Sequence, residues 1–152
     1  MNKILNYILI FFLFALLSCD YKPILGDKNY NFSINVNSTN GNQKINSIII
    51  NNFKNLKSGS KEYYVTLSSE KEKNIISKDS KGDPSIFELI IKIYYNFEKD
   101  GKIIIENNVS RKTTYNNISD KFELDSYEKS IINNLSTNIS DIIIFSISEI
   151  NE

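Results

Sequence analysis

The sequence predicts an α/β fold. Specifically, it predicts a two-layer sandwich, a four-stranded sheet with two helices on one face, in the order β-α-β-β-β-α. Three observations carry that prediction. Phe87, Leu89, Ile91, Ile93, Tyr95 and Phe97 alternate with other side chains, the period of a strand with one buried face. Two stretches, one beginning at Gln43 and one after Asp120, instead carry apolar residues at helical spacing. Between two strand-like runs stands Asp100-Gly101, the chemistry of a hairpin turn.

The elements follow in order. Phe32, Ile34 and Val36 alternate with Ser33, Asn35 and Asn37, a short strand, and Ser38 to Asn42 reads as a turn. Ile45, Ile48, Ile49, Phe53 and Leu56 define an amphipathic helix from Gln43 to about Lys57, stopped by Ser58-Gly59. Tyr63, Val65 and Leu67 alternate with Tyr64, Thr66 and Ser68, the second strand. Residues 69–84 are polar, with Lys71, Lys73, Lys78 and Lys81 set against Glu70, Glu72, Asp79 and Asp83. They read as a loop, or as a ragged strand end around Ile75-Ile76. Ile86 to Phe97 is the third strand and Lys102 to about Tyr115 the fourth.

The register of the last hairpin follows from burial. A two-residue loop pairs Phe97 with Ile104 and Tyr95 with Glu106, mixing charge into the apolar row. A three-residue loop, Lys99-Asp100-Gly101, pairs Phe97 with Ile103, Tyr95 with Ile105 and Ile91 with Val109, and sets Glu88 opposite Lys112. A one-residue slip turns every side chain over, so the burial pattern favours the longer loop. It also places Arg111 in the apolar row, opposite Leu89, either snorkelling from the sheet end or turned by a bulge. Asn116-Asn117 breaks the strand. Asp120 and Glu123 stand at capping-box spacing, and a long helix to about Ser148 follows. Leu124, Tyr127, Ile131, Leu135, Ile139, Ile142 and Ile143 form its apolar stripe. The helix outruns the sheet, so its far end is expected to fray or project. The bare sheet face then carries Tyr64, Thr66, Lys92, Tyr94, Lys112 and Thr114.

Ahead of this domain lies a different kind of sequence. Lys3 precedes an apolar stretch, Ile8 to Leu17, which ends in Ser18 and Cys19, the one cysteine of the chain. A basic start, an apolar middle, a small residue and a cysteine are the layout of a bacterial lipoprotein signal peptide, with the cut after Ser18. The apolar run from Ile4 to Leu17 is 14 residues, short of the roughly 20 that span a bilayer. A buried structural cysteine would have no reason to fall where the apolar run stops. The expected organisation is therefore a signal peptide over 1–18, a lipidated N-terminus and linker over 19–31, and one domain over 32–152. Cys19 would carry acyl chains that hold the protein on a membrane.

Composition narrows the function. Lysine plus arginine and aspartate plus glutamate both number 18, so no basic excess points to nucleic acid. There is no histidine, and Cys19 is committed to lipid. That removes the usual metal ligands and the base of a Ser-His-Asp or Cys-His triad. No carboxylate pair stands out by spacing, no cofactor is implied, and the chain reads as no enzyme.

Two segments carry a resemblance. Cys19-Asp20-Tyr21-Lys22-Pro23-Ile24-Leu25-Gly26 resembles the mature start of the alphaproteobacterial LPS-assembly lipoprotein family, LptE, roughly Cys-Gly-aromatic-basic-Pro-aliphatic-x-Gly. Arg111-Lys112-Thr113-Thr114-Tyr115-Asn116-Asn117, with Lys121-Phe122-Glu123-Leu124 and Tyr127-Glu128, resembles that family's passage from last strand to last helix. The resemblance implies an outer-membrane lipoprotein seated in an LptD-type barrel, helping to insert lipopolysaccharide at the cell surface. Its partners would be that barrel, lipopolysaccharide, and a membrane through the N-terminal lipid. Asp20 departs from the family's glycine and, by the enteric sorting rule, suits the inner membrane. That keeps a second reading, an auxiliary lipoprotein of a lipid-transport ABC system. Candidate lipopolysaccharide contacts are Lys92, Arg111, Lys112 and Lys121, with Lys71 and Lys73 beside them. Each is otherwise an ordinary solvated charge.

Overall fold

Alternating and helical patterns condense into six elements in the expected order. They are β1 (Phe32–Gly41), α1 (Gln43–Lys54), β2 (Lys61–Lys78), β3 (Pro84–Lys99), β4 (Lys102–Asn116) and α2 (Lys121–Ser148). The structure is a computed structural model and describes residues 30–56 and 59–150. The expected signal peptide, Cys19 and the expected linker up to residue 29 lie outside the described residues. The strands form one sheet in the order β1-β2-β3-β4. β1 runs parallel to β2, as a helical crossover requires, and the other neighbours are antiparallel. α1 packs on β1, β2 and α2, and α2 packs on β3 and β4.

All the apolar rows meet in one layer. Tyr63, Val65 and Leu67 of β2 join Phe87, Leu89, Ile91, Ile93, Tyr95 and Phe97 of β3. Ile45, Ile49 and Phe53 of α1 and Ile131, Ile139, Ile143 and Ile147 of α2 close over them. Each fully buried Ile, Leu or Phe contributes about 1.5–3 kcal/mol relative to exposure, so this layer dominates stability.

β1 is longer than its apolar residues predict. Ser38 to Gly41 do not turn. After an irregularity at Asn37 they pair with Thr66 to Ser69. Backbone pairing needs no apolar side chain, and Ser38 donates to Thr66 Oγ1 at 3.4 Å. The chain turns only after Gly41, φ +86°, where a Cβ would lie 1.9 Å from Ser69 O. Only glycine fits there. Asn42 then caps α1, accepting from the Ile45 amide at 3.2 Å. α1 stops at Lys54, short of the expected Lys57. Gly59 has a role the periodicity did not suggest. It lets two backbones approach: a Cβ there would sit 2.0 Å from Phe32 N.

The polar stretch 69–84 is mostly strand. β2 continues to Lys78, pairing Glu70 with Lys92 and Ile75 with Phe87. Only Asp79 to Asp83 form a loop, in which Asp79 Oδ1 accepts from the Lys81 and Asp83 amides, both at 2.9 Å. Charge on both faces hid the period. Glu70 and Glu72 lie on the bare face, Lys71 and Lys73 on the helix face.

The β3–β4 hairpin closes with two residues instead of three. Asp100 (φ 51°) and Gly101 (φ 74°) are both left-handed, the requirement of a type I′ turn. Lys99 pairs with Lys102 and Glu98 with Ile103. A bulge then shifts the ladder, so that Phe97 meets Ile105, Tyr95 meets Asn107 and Ile93 meets Val109. The predicted face survives, while the predicted partners are off by two residues. Arg111 therefore lies across from Ile91, and Thr113 from Leu89.

α2 begins where expected. Asp120 accepts from the Phe122 amide at 2.8 Å and the Glu123 amide at 3.0 Å. Its buried stripe, however, is turned relative to prediction. Ile132, Ser136, Ser140 and Ile144 are buried, Tyr127 is exposed and Ile142 half-buried. The cause is α1, which covers part of α2: Asn52 Nδ2 donates to Ser140 Oγ at 2.8 Å. The last turn does not project, since Ile147 is fully buried.

Candidate functional site

The bare face of the sheet comes from the even-numbered positions of β2, β3 and β4. As predicted, it shows Tyr64, Thr66, Lys92, Tyr94, Lys112 and Thr114 to solvent, in whole or part. Its cations are tied in pairs. Lys92 Nζ lies 2.8 Å from Glu72 Oε1 and Lys112 Nζ 2.9 Å from Glu88 Oε1. Lys112 stands opposite Ile90 and Glu88 opposite Thr114, so their pair is diagonal. The hydrogen bond and charge of Glu72 raise the Lys92 pKa and keep it charged.

Arg111 is not part of this face. It sits on the helix side at the β4 edge, where Nε donates to Asn138 Oδ1 of α2 at 2.8 Å and Nη1 to the Ser110 carbonyl at 3.0 Å. Lys73 is on the helix side too. It pairs with Glu128 and lies 4.1 Å from the centre of the Phe87 ring. Glu128 also accepts from Tyr115 Oη at 2.8 Å. Burial, then that hydrogen bond, hold the phenol well above its ordinary pKa. Lys121 is exposed in the first turn of α2, and Lys71 is exposed on β2. The structure thus brings Lys92 and Lys112 together and leaves Arg111, Lys73 and Lys121 elsewhere. Cys19 lies outside the described residues.

One concavity on the bare face escaped the sequence reading. It has a volume of about 310 Å³ and is lined by Thr66, Ser68, Tyr94, Asn96, Glu106 and Asn108. These form two cross-strand rows, Thr66–Asn96–Glu106 and Ser68–Tyr94–Asn108. The rows exist only in the observed register. With the register shifted by two residues, Glu106 and Asn108 fall opposite other residues. Nothing in the sequence marks so polar a set as a site.

Among the described residues no group of three or more Cys, Asp or Glu side chains is placed to hold a metal ion. No described helix is long and apolar enough to cross a membrane.

A β-α-β-β-β-α sandwich with both helices on one face leaves the other sheet face bare. Solved lipoproteins share that architecture. The chain is similar to the rare lipoprotein B of Shewanella oneidensis, at 12% identity and a TM-score of 0.62, over 79% of this chain and 95% of that one. It is also similar to the uncharacterized lipoprotein B of Nitrosomonas europaea, at 11% identity and a TM-score of 0.61, over 86% and 92%. At such identities the likeness is one of fold. No protein-family model matches the sequence, and no curated protein matches it.

Proposed function

We propose that this chain is a lipid-anchored binding protein that partners an LptD-type outer-membrane barrel in inserting lipopolysaccharide at the cell surface. The observation that carries the reading is the fold, which spans nearly all of two solved lipoproteins. The Leu16-Leu17-Ser18-Cys19 run supports the lipid anchor, and the Cys19–Gly26 and Arg111–Leu124 runs support the particular family. The role is binding and assembly, not catalysis. The outer membrane, the barrel and lipopolysaccharide are parts of the proposal.

Affinity purification of the lipidated protein from solubilised membranes tests it. A barrel protein of several hundred residues should be recovered in stable complex, and depletion should lower both barrel assembly and surface lipopolysaccharide. Asp20 favours one alternative, an auxiliary lipoprotein of a lipid-transport ABC system. Recovery of an inner-membrane permease with no barrel would replace the first reading by that one.

A further inference from the structure

We infer that the trough on the bare sheet face binds a neutral saccharide, one or two sugar rings lying across β3. The inference leans on the proposed function for the origin of the sugar and on the structure for its chemistry. A volume of about 310 Å³ is at the small end of ligand sites, roughly 300–1,000 Å³. Thr66, Ser68, Asn96 and Asn108 present hydroxyls and amides, which both donate and accept, as sugar hydroxyls do. Tyr94, 46% exposed, offers a flat ring for the C–H face of a sugar. Glu106 accepts from hydroxyls.

Charge decides against a phosphate. Glu106 is the one ionised group in the lining, and no cation shares the trough. The nearby Lys92 and Lys112 are held by Glu72 and Glu88. An anion would meet a carboxylate, and a lysine would have to leave its partner to offset it. The floor adds a second observation. Asn96 Oδ1 is shut off from solvent and has no hydrogen-bond partner among the described residues. A buried carbonyl without a donor is unfavourable, a cost that a sugar hydroxyl would relieve only if the Asn96 amide turned its oxygen toward the trough. The neighbouring rows pair Tyr64 with Glu98 on one side and Glu70 with Lys92 on the other.

The sugar has two possible sources, the glycan of a lipopolysaccharide or a cell-wall glycan, and the test separates them. The full chain, held in a zwitterionic detergent without sugar groups, is titrated by amide NMR and calorimetry. The probes are phosphate-free core oligosaccharide, chitobiose and lipid A. One or both glycans should shift amides of residues 66–68, 94–96 and 106–108 saturably. Raising salt from about 50 to about 300 mM should leave the affinity unchanged, since no ion pair forms. Tyr94→Ala should weaken binding about fivefold or more, and Tyr94→Phe should stay within about twofold. Asn108→Ala is the second variant if Tyr94→Ala does not fold. A response to core oligosaccharide alone assigns the sugar to lipopolysaccharide. A response to chitobiose alone keeps the trough and moves its ligand to the cell wall. Silence to both glycans, a response to lipid A only, or undiminished binding by the folded variants overturns the inference. Barrel recovery with Tyr94→Ala is scored separately, so failure of the trough and failure of the proposed function are told apart.

Discussion

Leu89→Ala tests how the two layers close. Leu89 is fully buried near the middle of β3, yet its cross-strand neighbours on the same face are Lys73 and Thr113. The sheet itself cannot cover it, so its burial depends on α2, with Ile131 and Ile132 in the same core. Truncation removes three carbons, about 2.4 kcal/mol at roughly 0.8 kcal/mol each. The cavity left behind adds to that, and the total should fall at about 3–5 kcal/mol. At roughly 2.1 cal/mol/K per residue, a domain of about 120 residues loses about 4 °C of Tm per kcal/mol. The expected drop is therefore on the order of 12–20 °C. Urea unfolding followed by circular dichroism should show a lower midpoint with an unchanged slope. Ile104→Ala, at an exposed site, is the control and should move the midpoint little. A loss below about 1 kcal/mol for Leu89→Ala would show that α2 does not seal this row.

Three further outcomes are expected. Gly41→Ala should destabilise by at least about 1 kcal/mol in the same assay, because φ is +86° and the new methyl group meets the Ser69 carbonyl. Asp141→Asn should stabilise at neutral pH. Burial raises the Asp141 pKa above its ordinary 3.8, so the native protein loses stability as pH rises through that higher value, and the variant does not. The gap between the two melting curves should vanish below about pH 3.8 and be complete at pH 7, and a gap constant with pH would refute the cause. Cys19→Ser should leave an uncleaved precursor without acyl mass, while mass spectrometry of the native protein should find an acylated N-terminus at Cys19.

The order of elements was legible because burial writes a period. Ile86 to Phe97 reads as a strand whatever its neighbours do, and Asp120 marks a helix start by its own chemistry. The misreadings share a cause. Period-2 reasoning sees which face a residue takes and not which partner it meets. Registers that differ by two residues look alike, and the type I′ demand of Asp100-Gly101 with its bulge decided between them. The far half of β2 hid for a related reason. β3 supplies the hydrogen bonds, so Lys71 and Lys73 are free to occupy a face that elsewhere is core. On α2, Ser136 and Ser140 are buried polar residues that no hydrophobic stripe includes.

The same limit governs the site. Counting lysines and arginines along the chain suggests a basic surface, but the fold divides them. Arg111 and Lys73 face the helices, bound to Asn138 and Glu128, while Lys92 and Lys112 face solvent, already joined to Glu72 and Glu88. Recruiting either lysine to a phosphate would break an ion pair, so exposed pairs worth little to stability still oppose anion binding by a comparable amount. Lys71 and Lys121, exposed and without an ion-pair partner among the described residues, are the candidate contacts that meet a phosphate at no such cost. If lipopolysaccharide binds this domain, Lys121→Gln should weaken the phosphate contribution more than Lys92→Gln. Equal salt-sensitive losses in binding of lipid A by the two variants would refute that ordering.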